Sequence, residues 1–195
     1  NSNDINAQIT DLKSSQINKI QKLSKAKDWS ALEKYALENS EKNNAFRYYA
    51  ADSALMLGDG PLAITRFTQF LKNGGHSYWH FGVKAAAITV SHHYELGNDQ
   101  EVVDLARDSL LAKYLEAGNV ITKAAIADAL LKYASSLTLI EKPEIAQALR
   151  VLATIKRHGK LYGGIPKGLI DMVNQQTIHI ESQIIAIGKS KVRQG

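Results

Sequence analysis

Apolar residues recur at intervals of three to four along most of the chain, and short polar breaks interrupt the pattern. Four breaks share one arrangement, in which an apolar residue stands six positions after the break begins. The breaks begin at Ala26, Leu57, Leu96 and Ile140, and the residues six positions further on are Leu32, Ala63, Val102 and Ala146. An interval of three to four residues is typical of amphipathic helices. The pattern therefore predicts an all-α protein in which helices are joined by recurring turns.

Residues that favour helix ends allow each helix to be bounded. Asp28, Asp59 and Ser77 are suited to the first position of a helix, and Gly58 and Gly97 to the turn that ends one. The predicted helices span about residues 4–26, 29–40, 45–57, 60–72, 78–96, 99–115, 120–139, 144–157 and 167–189. The small residues of the third helix predict that it packs closely inside the protein.

The chain divides into three predicted regions within a single domain. Residues 1–157 form a helical repeat region, in which each unit covers the apolar face of its neighbour. Residues 158–168, with four glycines and Pro166, are expected to form an ordered loop or hinge. Residues 169–195 are expected to form a C-terminal capping helix followed by a basic tail.

The units resemble tetratricopeptide (TPR) repeats, and the unit at residues 44–72 matches best. Ala51 stands at the small position of the first helix, Leu57-Gly58-Asp59 at the turn, and Ala63 and Phe67 at the alanine and aromatic positions of the second helix. The resemblance covers roughly residues 14–155. The four breaks are 31, 39 and 44 residues apart, and the proline that closes each repeat of the family is missing from all four units. The chain is therefore similar to a divergent TPR-like α-solenoid.

This resemblance implies both an architecture and a function. Antiparallel helix pairs would stack into a right-handed superhelix, and the first helix of each pair would line an inner groove. The implied groove positions are Ile17, Gln21, Tyr48, Asp52, Leu55, Lys84, Ala87, Ser91, Tyr94, Asp128, Leu131, Ser135 and Thr138. Such a groove suits an extended or helical protein segment. The partner-binding residues expected from this set are Tyr48, Asp52, Lys84, Ser91, Tyr94 and Asp128.

The segment from Gly74 to Gly82 combines a glycine-rich bend with three aromatic and two imidazole side chains. Tyr78 and Trp79 are candidates for partner contact, although aromatic residues at helical spacing are more often core. His76 and His80 are four residues apart, but His76 precedes the predicted helix and no His-Glu-x-x-His motif is present. These histidines, together with His92 and His93, are interpreted as packing or surface residues, so that no metal site is expected.

Charge is distributed unevenly along the chain. The formal net charge is +5, and residues 156–195 contain seven basic and two acidic residues. Residues 1–27 contain five lysines and two aspartates. These basic ends give an alternative function, in which the protein binds nucleic acid or an anionic membrane surface. The simpler interpretation is that both ends are solvated faces.

The chain contains no cysteine, which excludes disulfides, thiolate metal sites and cysteine nucleophiles. No catalytic motif was found in a recognisable context, so we expect neither an enzyme nor a cofactor nor a small-molecule substrate. A further alternative is that the chain is the scaffold region of a larger enzyme. The missing initial Met and the absence of cysteine favour an exported or periplasmic, possibly membrane-tethered, protein over a cytoplasmic one. The isoleucines of the last helix would also allow a homo-oligomer.

Overall fold

The computed structural model describes residues 11–107, 110–162 and 165–194, which form ten α-helices, one short 3₁₀ helix and turns. The helices are α1 (Ser14–Lys25), α2 (Trp29–Asn39), α3 (Ala45–Met56), α4 (Gly60–Lys72), α5 (Trp79–Glu95), α6 (Asp99–Ala106), α7 (Leu110–Glu116), α8 (Val120–Leu137), α9 (Ile145–Tyr162) and α10 (Lys167–Gln194). The 3₁₀ helix, Gly75–Ser77, precedes α5. These residues contain no β-strand, and the all-α prediction is confirmed.

The helices fall into two compact units, unit 1 up to His92 and unit 2 from His93 onward. In unit 1, α1 packs on α2, α2 on α3 and α3 on α4. Unit 1 is centred on α3, whose small residues Ala50, Ala51 and Ala54 are fully buried, as predicted. In unit 2, α8 contacts α6, α7, α9 and α10, and α9 also packs on α10.

Three of the four predicted breaks form the same connection. Lys27, Gly58 and Gly97 each adopt a left-handed conformation, with φ of 56°, 88° and 74°. In each case the backbone N–H of that residue and the N–H of the next one bond to carbonyls of the last helical turn, at 2.8–3.1 Å. This pair of bonds is the Schellman motif. It satisfies carbonyls that would otherwise lose their partners at the helix end.

The helix that follows each connection buries the same two positions. Counted from the first helical residue, the fourth and eighth residues are at most 1% exposed in α2, α4, α6 and α9. The fourth residues are Leu32, Ala63, Val102 and Ala148, and the eighth residues are Ala36, Phe67, Ala106 and Leu152. Because positions four apart lie on one helix face, each helix presents the same stripe to its core.

The fourth break corrects the sequence prediction. Ala146, six positions after Ile140, is exposed, whereas Ala148 is fully buried. Helix α9 begins at Ile145, five residues after the break begins, whereas the other three helices begin three residues after theirs. Pro143 favours an extended backbone in the residue before it, and this lengthens the connection. Which residues are buried therefore depends on their distance from the start of the helix and not on their distance from the beginning of the break.

Helix α9 also corrects the predicted loop at residues 158–168, because it continues to Tyr162. Gly159 is helical, and a Cβ atom there would come within 3.1 Å of Ile165 Cγ1 and 3.2 Å of Ile170 Cδ1. The glycine therefore serves close packing and does not begin a loop. Helix α10 similarly continues through the predicted basic tail to Gln194.

Two further boundaries differ from the prediction. The single helix expected at residues 99–115 ends at Ala106, because the backbone of Arg107 is extended, with φ −58° and ψ 153°. The Arg107 guanidinium is bound by both carboxylate oxygens of Glu144, at 3.2 and 2.6 Å. The first helix begins at Ser14, and the predicted part before Asp11 lies outside the described residues.

Candidate functional site: a cleft between helices α8 and α10

Unit 2 contains a cleft of about 320 Å³ between one face of α8 and one face of α10. The lining residues are Tyr94, Asp128, Leu131, Lys132, Ser135, Met172, Gln175, Gln176 and His179. Two of the predicted partner-binding residues, Tyr94 and Asp128, are among them. Leu131 and Ser135, which the TPR resemblance also assigned to the groove, complete the α8 wall together with Lys132.

The position of each wall follows from helix geometry. Asn119 accepts a hydrogen bond from the Thr122 backbone N–H at 2.8 Å and so begins α8. The opposite face of α8 carries Ile126, Leu130 and Leu137, which are fully buried. Residues 128, 131, 132 and 135 recur at intervals of three and four, so they occupy one face. On α10, residues 172, 175, 176 and 179 repeat this spacing, while Val173 and Ile180 anchor that helix in the core.

The polar groups of the cleft are arranged as a charged rim and a hydroxyl pair. Lys132 Nζ lies 2.8 Å from Asp128 Oδ2. The Tyr94 hydroxyl donates to Ser135 Oγ at 3.4 Å, a long hydrogen bond. Leu131 is buried and Met172 is half exposed, which gives the cleft an apolar floor and an apolar edge. The site therefore combines hydroxyl, amide and ionic groups with apolar surface.

The predicted groove residues of unit 1 have different surroundings. Tyr48 is only 6% exposed, and its ring stacks on Phe81 with 4.1 Å between ring centroids and 13° between planes. Burial, reinforced by Asp52 and Tyr49, raises the pKa of Tyr48. Lys84 Nζ lies 2.7 Å from Asp52 Oδ1. The structure thus brings Tyr48, Asp52 and Lys84 together, but the tyrosine ring is covered by aromatic side chains of its own unit.

Tyr78 and Trp79 lie at the start of α5. The Tyr78 hydroxyl donates to Asp11 Oδ2 at 2.5 Å, and the Tyr78 ring packs 5.7 Å from that of Phe70. Burial and this hydrogen bond raise the pKa of Tyr78. Trp79 is half-buried, with its ring 4.9 Å from that of His80. Tyr78 therefore serves the packing of unit 1.

The remaining predicted residues do not join the cleft. Ser91 is half-buried on α5, and His92 follows it. His76 lies in the 3₁₀ helix and not on α5, as its place before the helix predicted. Among the residues that the structure describes, no group of three histidine or acidic side chains is arranged to hold a metal ion.

One buried cation lies outside the cleft. Lys113 on α7 is 6% exposed, and its Nζ has no hydrogen-bond partner among the described residues. Burial lowers the pKa of Lys113 to about 8, although Glu116 acts in the opposite direction. Unit 1 by contrast pairs its Arg66 with Glu33 and its Lys84 with Asp52.

The α10 wall was not predicted from the sequence, which led us to expect the last helix to cap the array or to form a homo-oligomer. Its signal was present, because Met172, Gln175, Gln176 and His179 recur at intervals of three and one beside the buried stripe. Helical periodicity identifies a face, but it does not tell whether that face meets solvent or a second wall.

Comparison with protein-family models, curated proteins and solved structures finds no match to this chain. The functional argument therefore rests on the geometry and chemistry of the cleft.

Proposed function

We propose that this protein is a non-catalytic interaction module that binds a segment of another protein in the cleft between α8 and α10. The observation that carries the proposal is the pair of facing helix walls with mixed chemistry, residues 128–135 on α8 and residues 172–179 on α10. Grooves between helices are a common way of holding extended or helical segments.

The chemistry of the walls matches that of a polypeptide. The Gln175 and Gln176 amides both donate and accept hydrogen bonds, as the backbone of a bound segment does. Leu131 and Met172 offer apolar contact for a side chain, and the unbranched thioether of methionine adapts to different shapes. Asp128 and Lys132 supply charges of both signs at the rim.

The size of the cleft also favours a polypeptide segment over a small molecule. A volume of about 320 Å³ lies at the lower end of the range for small-ligand pockets. A segment that extends beyond the cleft would gain contact along both helices, whereas a compact ligand would not.

The proposal includes the finer architecture that the TPR resemblance implies. We take the helix pairs as units of a TPR-like right-handed superhelix, with α10 as the capping helix. Support comes from the three equal Schellman connections and from the two buried positions that recur in α2, α4, α6 and α9.

The test uses random peptides displayed on phage and selected on the immobilised wild-type protein. Binding of a selected peptide is then measured by fluorescence anisotropy for the wild type, for Met172→Lys and for the control Gln183→Lys. Both positions are exposed on α10, but only Met172 lines the cleft. We expect Met172→Lys to weaken binding at least about tenfold, about 1.4 kcal/mol, because the substitution removes the apolar edge of the cleft and adds a charge there.

Gln183→Lys adds the same charge elsewhere on the helix and should leave affinity within about twofold. Equal binding by Met172→Lys and the wild type, with both folded, would show that the selected peptides bind another surface. Failure to enrich any peptide would also count against the proposal.

A further inference from the structure

The end of α10 differs from its beginning in burial. Val173 and Ile180 are fully buried in the core of unit 2, whereas every residue from Glu181 to Arg193 is exposed. The helix nevertheless continues to Gln194 without a break. About four turns of helix therefore extend beyond the last buried contact.

This exposed part carries large apolar side chains. They are Ile178, Ile184, Ile185, Ile187 and Val192, with exposed fractions of 44–81%. Ile178, Ile185 and Val192 are seven residues apart, so they form one line along the helix. Ile184 and Ile187 continue the line of Val173 and Ile180 beyond the core. Together the two lines bound one mainly apolar side of the helix, on which Glu181, Gly188 and Lys191 also lie.

The charges of the same part have one sign. After Glu181 the helix contains Lys189, Lys191 and Arg193 and no acidic residue. Lys189 and Arg193 are four residues apart and share a face outside the apolar one. A helix with an apolar face and a basic face fits an interface that is itself apolar beneath a negative layer.

We propose that residues 178–194 of α10 dock on the surface of an anionic lipid bilayer. The helix lies in the plane of the interface, with its isoleucines and Val192 among the upper acyl chains. The basic side chains reach the lipid phosphates, because their long stems let the charged ends leave the apolar layer. This mode differs from crossing a bilayer, for which no described helix is both long and apolar enough.

Two other occupants fit the residues less well. Nucleic acid would attract the three basic residues but leaves the five apolar side chains in water. A second copy of the chain would have to pair along the line of Ile184 and Ile187, and this line next meets Lys191. Two apolar layers followed by a lysine are too few for a stable helix pair.

The test measures co-sedimentation of the full chain with vesicles of phosphatidylcholine and phosphatidylglycerol, and with vesicles of phosphatidylcholine alone. We expect binding to the anionic vesicles and much weaker binding to the neutral ones. Replacing Lys189, Lys191 and Arg193 together with glutamine should reduce partitioning roughly 100-fold. The control replaces Lys22, Lys25 and Lys34, which are exposed on α1 and α2, and should cost far less.

The apolar face is tested by Ile185→Ser together with Val192→Ser. Both side chains are exposed, so the fold is retained, which circular dichroism can check. We expect partitioning to fall at least about tenfold, since each buried methylene contributes to binding. The control pair, Gln183→Ser with Ala186→Ser, lies on the other side of the helix and should change partitioning less than about twofold.

Three outcomes would overturn this proposal. The first is no binding of the wild type to anionic vesicles. The second is equal binding by the wild type and the Ile185→Ser, Val192→Ser variant, which would mean attraction by charge alone. The third is a dimer in sedimentation velocity without vesicles that the same variant dissociates, which would assign the apolar face to a second copy.

Discussion

The two units treat their predicted groove residues in opposite ways. In unit 1, Phe81 stacks on Tyr48, and Lys84 closes over Asp52 at 2.7 Å. In unit 2, Tyr94 and Asp128 line an open cleft whose far wall is α10. Positions that the TPR resemblance treats as equivalent are thus core in one unit and surface in the other.

The cause of the difference is the neighbouring side chain. Unit 1 surrounds Tyr48 with Tyr49, Phe67, Phe70 and Phe81, all within 5.7 Å between ring centroids. Rings of this size fill the space that a ligand would occupy. The α8 wall of unit 2 carries Asp128, Lys132 and Ser135 instead, which leave room for a ligand. A predicted groove position is therefore open to a ligand only where its neighbours are small or polar.

The largest expected effect is on the free energy of unfolding, and it distinguishes the core around Tyr48 from the cleft around Tyr94. Tyr48→Ala removes a buried ring and should lower the free energy of unfolding by about 3–5 kcal/mol. Tyr94→Ala removes a half-buried ring and should cost about 1 kcal/mol. Urea denaturation of each variant measures both values. Tyr48→Phe is the control, because it keeps the ring, and it should cost far less than Tyr48→Ala. Equal losses at Tyr48 and Tyr94 would contradict the contrast between core and cleft.

A smaller effect concerns Lys113, a buried cation of unit 2, whereas Arg66 and Lys84 of unit 1 are paired with carboxylates. Lys113→Met should raise the free energy of unfolding at pH 7 by about 1–3 kcal/mol, because it removes a cation without a partner. The folded pKa is about 8 and therefore lies below that of the unfolded chain. The unfolded chain then holds more protons between these two values, and wild-type stability rises with pH in that window.

The advantage of Lys113→Met should accordingly shrink as the pH rises from about 8 to about 10. Urea titrations at several pH values measure this difference. Lys160→Met, at an exposed position of α9, is the control and should change little at any pH. A Lys113→Met variant that is less stable than the wild type at every pH would show that the amine has a partner after all.

The smallest expected effect on stability concerns the connections between helices, which have the same left-handed conformation in both units. Lys27 adopts the left-handed conformation that Gly58 and Gly97 adopt in the later connections. Lys27→Gly should therefore stabilise the protein by about 0.5–1 kcal/mol, because a side chain is strained there. Gly97→Lys should destabilise unit 2 by a similar amount.

Ala26→Gly provides the matched control for Lys27→Gly. Ala26 is right-handed, with φ −76°, so glycine there should cost about 0.5–1 kcal/mol. Thermal denaturation compares the two variants, which differ by one position. The same sign of change for both would exclude the conformational explanation.

Local signals made much of the fold predictable from sequence. Asp28 and Asp59 accept hydrogen bonds from the first turns of α2 and α4, as cap residues should. Gly58 and Gly97 end their helices in the predicted conformation. These features depend on a few adjacent residues, and sequence reasoning handles such features well. At the break after Ala106, Arg107 pairs with Glu144, which is distant in the chain, and no local sequence pattern predicted the break.

The cleft was only half predictable for a related reason. The TPR resemblance identified Tyr94, Asp128, Leu131 and Ser135, because repeat position and helix face go together. It gave no information on α10, whose wall depends on how the last helix packs against α8. It also could not show that Phe81 covers Tyr48, since a face pattern contains no information on the size of the opposing side chain.

The longer fourth connection has a consequence for evolution and for engineering. Burial in α9 is set by where the helix begins, and residues 141–143 of the connection are exposed. Gene insertions or deletions at this point lengthen or shorten an exposed connection and leave the core register intact. Sequence alignments that allow gaps in this connection, and that number positions from the start of each helix, should match copies of this unit that searches with a fixed repeat length overlook. The same site suits insertion of a reporter peptide in a laboratory variant.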